Sequence, residues 1–125
     1  MNRQIDPLSV AILEDGSDIV DAISLGFGIG RPETKIRHFH DGEEVIKFVG
    51  CSQLGIVVIA AYSNLASRLE LIKSIRLVSK VPILVVSRDR EISTQAMDFG
   101  ANDVITNPFN LSDLFMKTCL LINKA

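Results

Sequence analysis

A strand pattern followed by a helix pattern occurs five times along this chain, and that alternation constrains the fold more than any other feature. The strand patterns fall at 9–13, 35–39, 55–60, 82–86 and 103–106. Stretches 55–60 and 82–86 are almost wholly apolar, as expected of strands covered on both faces. Apolar residues recur at helical spacing over 18–27, 42–49, 65–78, 92–99 and 111–122. In the third of these, Leu65, Leu69, Leu71, Ile72 and Ile75 form the apolar set, with Arg and Lys between them. Ser17 or Asp18 is expected to cap the first helix, and Asn110 or Ser112 the last. Gly26, Gly28 and Gly30 are expected to end the first helix, with Pro32 preventing its resumption. This glycine run looks like a nucleotide loop, but it follows a helix instead of a strand, so it reads as a flexible connection.

Strands alternating with helices imply a parallel sheet with helices on both faces. Right-handed crossovers leave few topologies for five such units. The flavodoxin-like order 2-1-3-4-5, a doubly wound α/β sheet of five strands with five helices, is the expected architecture. Sheets of this kind work just beyond the carboxyl ends of their strands. Those ends here follow Leu13, Ile59, Val86 and Thr106.

The bulk properties narrow the function classes. A length of 125 residues fits a single domain over 1–125, and any output domain would follow residue 125. Hydrophobic residues are 47% and charged residues 22% of the chain, the balance of an ordinary globular protein. The net charge of -2 gives no electrostatic footprint for nucleic acid. No apolar run is long enough to span a bilayer, and no signal-peptide core precedes Glu14-Asp15, so a cytoplasmic location is expected. Cys51 and Cys119 lack metal-ligand spacing and read as reduced thiols, at least one of them buried.

At the strand ends stand Glu14-Asp15, then Ser87, then Asn107-Pro108-Phe109. Singly, each reads as an ordinary turn or strand terminus. Together with Val10-Ala11-Ile12-Leu13-Glu14-Asp15, Val81-Pro82-Ile83-Leu84-Val85-Val86-Ser87 and Gly100-Ala101-Asn102-Asp103-Val104-Ile105-Thr106-Asn107-Pro108-Phe109, they form a more specific pattern. His40-Asp41-Gly42-Glu43-Glu44-Val45 and Leu69-Glu70-Leu71-Ile72-Lys73-Ser74-Ile75-Arg76 extend it. The chain resembles, over nearly its whole length, the receiver domains of two-component response regulators, which are CheY-like. That resemblance implies an Asp nucleophile ending the third strand, Mg²⁺ held with the acidic pair, and a Lys after the fifth strand. It also implies a Ser or Thr hydroxyl and an aromatic residue that move together when the domain is phosphorylated.

Against this pattern the chain lacks working parts. The acceptor position falls on Ala60, and Ala61 follows it; no Asp lies between Asp41 and Asp89. The Lys position is Asn107, which donates a hydrogen bond but carries no charge. The aromatic position is Val104, which has no ring to swing. The residual acidic pocket is Glu14 and Asp15, and the switch positions are Ser87 and Val104. No catalytic residue and no cofactor are expected, and no metal beyond weak Mg²⁺ contact at Glu14 and Asp15. Left without a cation, the two acids would lie close together and uncompensated, with one pKa raised.

The expected function is therefore that of a phosphorylation-independent pseudo-receiver and not an enzyme. It would control a protein partner or a fused output domain, with transcription the expected output. The face of the fourth helix, fifth strand and fifth helix would serve homodimerisation through Met97, Asp98, Asn102, Asp103, Asp113 and Lys117. Asp103 and Lys117 match a pair that bridges such dimers in one subfamily. Neither direct nucleic-acid binding nor membrane contact is expected. The alternatives are a small flavodoxin-like cofactor-binding protein, or a receiver phosphorylated on a hydroxyl such as Tyr62 or Ser63. Glu14-Asp15 is electrostatically wrong for the phosphate loop that the first of these requires.

Overall fold

A computed structural model of the chain describes residues 9–51 and 54–124. Five strands, β1 (Ser9–Leu13), β2 (Lys35–Phe39), β3 (Ile56–Ala61), β4 (Ile83–Ser87) and β5 (Asp103–Thr106), alternate with five helices. The helices are α1 (Asp18–Gly30), α2 (Gly42–Cys51), α3 (Leu65–Val78), α4 (Arg90–Phe99) and α5 (Leu111–Lys124). All strand pairs are parallel and the sheet order is β2-β1-β3-β4-β5, the doubly wound arrangement expected from the alternation.

The apolar runs serve two cores at once, because successive strand side chains point to opposite faces. Ala11, Leu13, Val57, Ile59, Ile83 and Val85 pack with residues of α2, α3 and α4. Val10, Ile12, Ile56, Val58, Leu84 and Val86 pack with α1 and α5 on the other face. Burying each large aliphatic side chain stabilises the fold by roughly 1.5–3 kcal/mol. This explains why β1, β3 and β4 contain almost no polar residue, while edge strand β2 keeps exposed Lys35 and Arg37.

Several boundaries differ from the sequence reading by one to three residues, among them the ends of β3, β4, α2 and α5, and two of the differences have a clear physical cause. Helix α1 does not stop at residue 27 but continues through the glycines to Gly30, and it closes where the Arg31 N–H donates to the Phe27 carbonyl. The run is therefore helix and not a flexible connection. Its inward face buries Ile23 and Phe27, and Phe27 meets Phe115 of α5 edge-on at 5.0 Å between ring centres. That tertiary packing outweighs the intrinsic cost of glycine in a helix. Helix α4 starts at Arg90, two residues before the expected position, because the Asp89 carboxylate accepts hydrogen bonds from the Glu91 and Ile92 N–H groups. Asn110 caps α5 as expected, accepting from the Asp113 N–H at 2.7 Å.

Candidate functional site

The β1 end places Glu14 and Asp15 side by side but gives them different tasks. Glu14 is only 4% exposed, and its carboxylate turns back onto the start of α1. Both oxygens accept from the Ile19 N–H, at 3.1 and 3.0 Å, and Oε1 also accepts from the Val20 N–H at 3.1 Å. Glu14 thus satisfies the unpaired donors of the first turn and complements the positive end of the helix. Ser17, at the cap position, makes no such side-chain bond. The Glu14 carbonyl meets His38 Nε2 at 2.8 Å, which ties the same residue to β2.

Asp15 points outward, its side chain 59% exposed. Its Oδ2 accepts from the Ser63 hydroxyl at 2.9 Å, and its Oδ1 lies 3.3 Å from Nη2 of Arg68. Arg68 is the residue that sequence reasoning missed. It sits in the first turn of α3 and is 6% exposed, and its Nε has no hydrogen-bond partner. A signal was present: counting in helical steps, position 68 falls on the apolar stripe of Leu65, Leu69, Ile72 and Ile75, where a charge needs a reason. The two acids are therefore not an uncompensated pair. Backbone donors satisfy one and a guanidinium neutralises the other.

The β3 end carries Ala60 and Ala61, in register with Val86 and Ser87 of β4. Ala60 is buried in the α1 and α5 core. Beyond it, half-buried Tyr62 stacks beneath the guanidinium of Arg88, which lies 4.3 Å from the ring centre. Burial pushes the Tyr62 phenol above its ordinary pKa, against the opposing pull of Arg88. Tyr62 and Arg88, with Asp18, Asn107 and Phe109, line a small cavity of about 230 Å³ above the sheet.

At the β4 end Ser87 is fully buried, and its hydroxyl is committed to α4. It donates to the Asp89 carbonyl at 3.2 Å and shares a 2.7 Å hydrogen bond with the Ser93 hydroxyl. Ser93 in turn reaches the Thr106 hydroxyl of β5 at 3.3 Å. Val104, half-buried, packs at the edge of the core on the α4 side. Asn107 is exposed, and its N–H donates to the Ser87 carbonyl at 2.7 Å.

In chemical terms, the strand ends present no carboxylate nucleophile at position 60 and no cationic side chain at position 107. The residues present do not fit the Mg²⁺ that the receiver resemblance implies. Both Glu14 oxygens face backbone N–H groups, and both Asp15 oxygens are engaged by Arg68 and Ser63. Among the described residues, no group of three His, Cys, Asp or Glu side chains is arranged to hold a metal ion.

The residues expected at the interface are brought to one side of the molecule, with several already partnered. Lys117 Nζ donates to Asp103 Oδ2 of the same chain at 2.9 Å. The Asn102 Oδ1 accepts from the Ile83 N–H at 2.8 Å and from Nη2 of Arg76 at 2.6 Å. Met97, Asp98 and Asp113 are exposed. So are Leu111, Met116 and Leu120 of α5, apolar residues that the sequence reading did not single out.

No family model matches the chain. Over 111 residues it is 28% identical to an uncharacterized transcriptional regulatory protein, YcbL, of Bacillus subtilis, covering 87% of this chain and 47% of that protein. Over 46 residues it is 48% identical to the transcriptional regulatory protein KdpE of Staphylococcus aureus, covering 35% of this chain and 20% of that protein. The chain thus spans less than half the length of these curated relatives. Among solved structures, the receiver domain of the TMAO respiratory system response regulator TorR superposes with a TM-score of 0.80 at 20% identity, over 94% of this chain and 98% of that one. A CheY-like protein, tadZ, from Pseudomonas aeruginosa superposes at 0.76 with 18% identity, over 91% and 98% of the two chains. A receiver protein from Pseudoalteromonas atlantica does so at 0.75 with 21% identity, over 93% and 98%. With five parallel strands in the order 2-1-3-4-5 and five helices, this chain has the CheY-like flavodoxin fold of response-regulator receiver domains.

Proposed function

We propose that this chain is a receiver-type signalling module that works without phosphorylation on β3. The observation that carries the reading is Ala60, a buried methyl group where a receiver needs a carboxylate nucleophile. Asn107 and Val104 add to it, since charge compensation and the aromatic lever are missing at the same site. The domain transmits through its surface and is not an enzyme. It acts on a protein partner or attached output domain, with a transcriptional output as in the regulators it resembles, and it works in the cytoplasm. Among the described residues no helix is long and apolar enough to cross a membrane. Homodimerisation uses the α4, β5 and α5 side around Met97, Asp98 and Asp113. Phosphorylation at Ser63 is disfavoured, because that hydroxyl donates to the Asp15 carboxylate and a phosphate there would face like charge.

The test is incubation with acetyl phosphate and Mg²⁺ followed by intact mass measurement. An unmodified mass is expected. A phosphoryl adduct would overturn the reading, and its mapped position would name the acceptor.

A further inference from the structure

We infer that Arg68 is the built-in cation of the acidic loop, and that its guanidinium keeps divalent metal ions from Asp15. The inference deepens the proposed function and rests on that reading of the site. Three observations carry it. Arg68 is buried to 6% exposure on the helix stripe that faces the sheet, a position where the other stripe residues are aliphatic. Its Nη2 lies 3.3 Å from Asp15 Oδ1, while the second oxygen of Asp15 holds the Ser63 hydroxyl. Its Nε is buried without a partner.

The orphaned Nε bears on the role of the residue. A buried guanidinium placed for stability would satisfy its donors, since each unmet one costs free energy. Here the buried charge makes one ion pair to a half-exposed carboxylate and leaves another donor unmet. That is a poor arrangement for stability, but it sets a positive charge against the loop where a metal ion would dock. A hard divalent cation needs carboxylate oxygens at close range and carries twice the charge. It would meet the guanidinium at close range, and even with the solvent screening that half-exposed Asp15 allows, the like charges repel. Glu14 offers no escape, because its oxygens are committed to the α1 backbone.

The probe is Mn²⁺, read as paramagnetic broadening of backbone amide signals in the intact chain. The wild type is expected to show no saturable broadening centred on Asp15 and Gly16. Arg68→Ala and Arg68→Gln both remove the charge, and Gln retains much of the side-chain volume should the alanine variant unfold. Either is expected to gain at least about tenfold in Mn²⁺ affinity, with broadening centred on Asp15. Adding Asp15→Asn should abolish the gain. Arg68→Lys, which keeps the charge, should still exclude the ion. The inference is overturned if the wild type binds Mn²⁺ at Asp15 as tightly as the neutral variants, or if no folded neutral variant gains affinity. Neither result depends on phosphorylation, so a failure here is distinct from the phosphoryl adduct that would overturn the proposed function.

Discussion

At position 14 a carboxylate is buried yet fully employed, which makes its removal costly. Glu14→Ala leaves the Ile19 and Val20 donors without partners and is predicted to lower stability by about 1–3 kcal/mol. Urea unfolding would show this as a lower midpoint with an unchanged slope. Asn102→Ala is predicted to cost about 1–3 kcal/mol in the same measurement, because the buried Ile83 N–H loses its acceptor and Arg76 loses the one at Nη2, keeping only its bonds to the Gly100, Ser79 and Val81 carbonyls. The sequence marked Glu14 as functional and Asn102 as interfacial. The structure gives each a bond inside the chain. Such roles are hard to read from sequence because the partners lie 5 to 26 positions away. Arg68 was hidden for the same reason: its acid lies 53 positions back, and a charged residue in a helix ordinarily faces solvent. What was legible at this scale was absence, at Ala60 and Asn107, since a missing side chain needs no geometry to be recognised.

Helix α1 shows which parts of an element local sequence determines. The 3.6-residue pattern located its buried face, but three glycines suggested an early end. The glycines differ in a way only packing reveals. A Cβ on Gly26 would lie 2.5–2.9 Å from the Phe115 ring, whereas one on Gly28 meets nothing within 4 Å. Gly26→Ala is therefore predicted to destabilise the domain by about 1–3 kcal/mol through overpacking. Gly28→Ala is predicted to stabilise it by roughly 0.5–1 kcal/mol through lower unfolded-state entropy and better helix propensity. Paired thermal melts of the two variants would move in opposite directions. The start of α4 was legible in principle, because Asp89 stands where a cap belongs with Glu91 in the first turn. The strands were the most legible elements, because burial on both faces leaves little room for polar residues.

For the whole molecule, alternation and crossover handedness left few sheet orders, and the structure has the one expected among them. What the assembled fold does with its surface was less legible. Asp103 and Lys117 satisfy each other within the chain, so a dimer built through them must exchange one ion pair for another and gains little from it. The exposed apolar residues have more to gain from burial. If the α4, β5 and α5 side is the dimer surface, Met97→Asp is predicted to shift the molecule to monomer in light scattering, with the fold unchanged by circular dichroism. Inside the molecule, Ser87 is tied to Ser93 and through it to Thr106, which holds β4, α4 and β5 in one arrangement. This arrangement has no phosphoryl-driven alternative in the proposed function. The most direct measurement is the amide NMR spectrum with and without beryllofluoride and Mg²⁺, a phosphoryl mimic. Superimposable spectra through β3, β4, α4 and β5 are expected. A new set of signals at Ala60 to Tyr62, Ser87 and Val104 would contradict the proposed function.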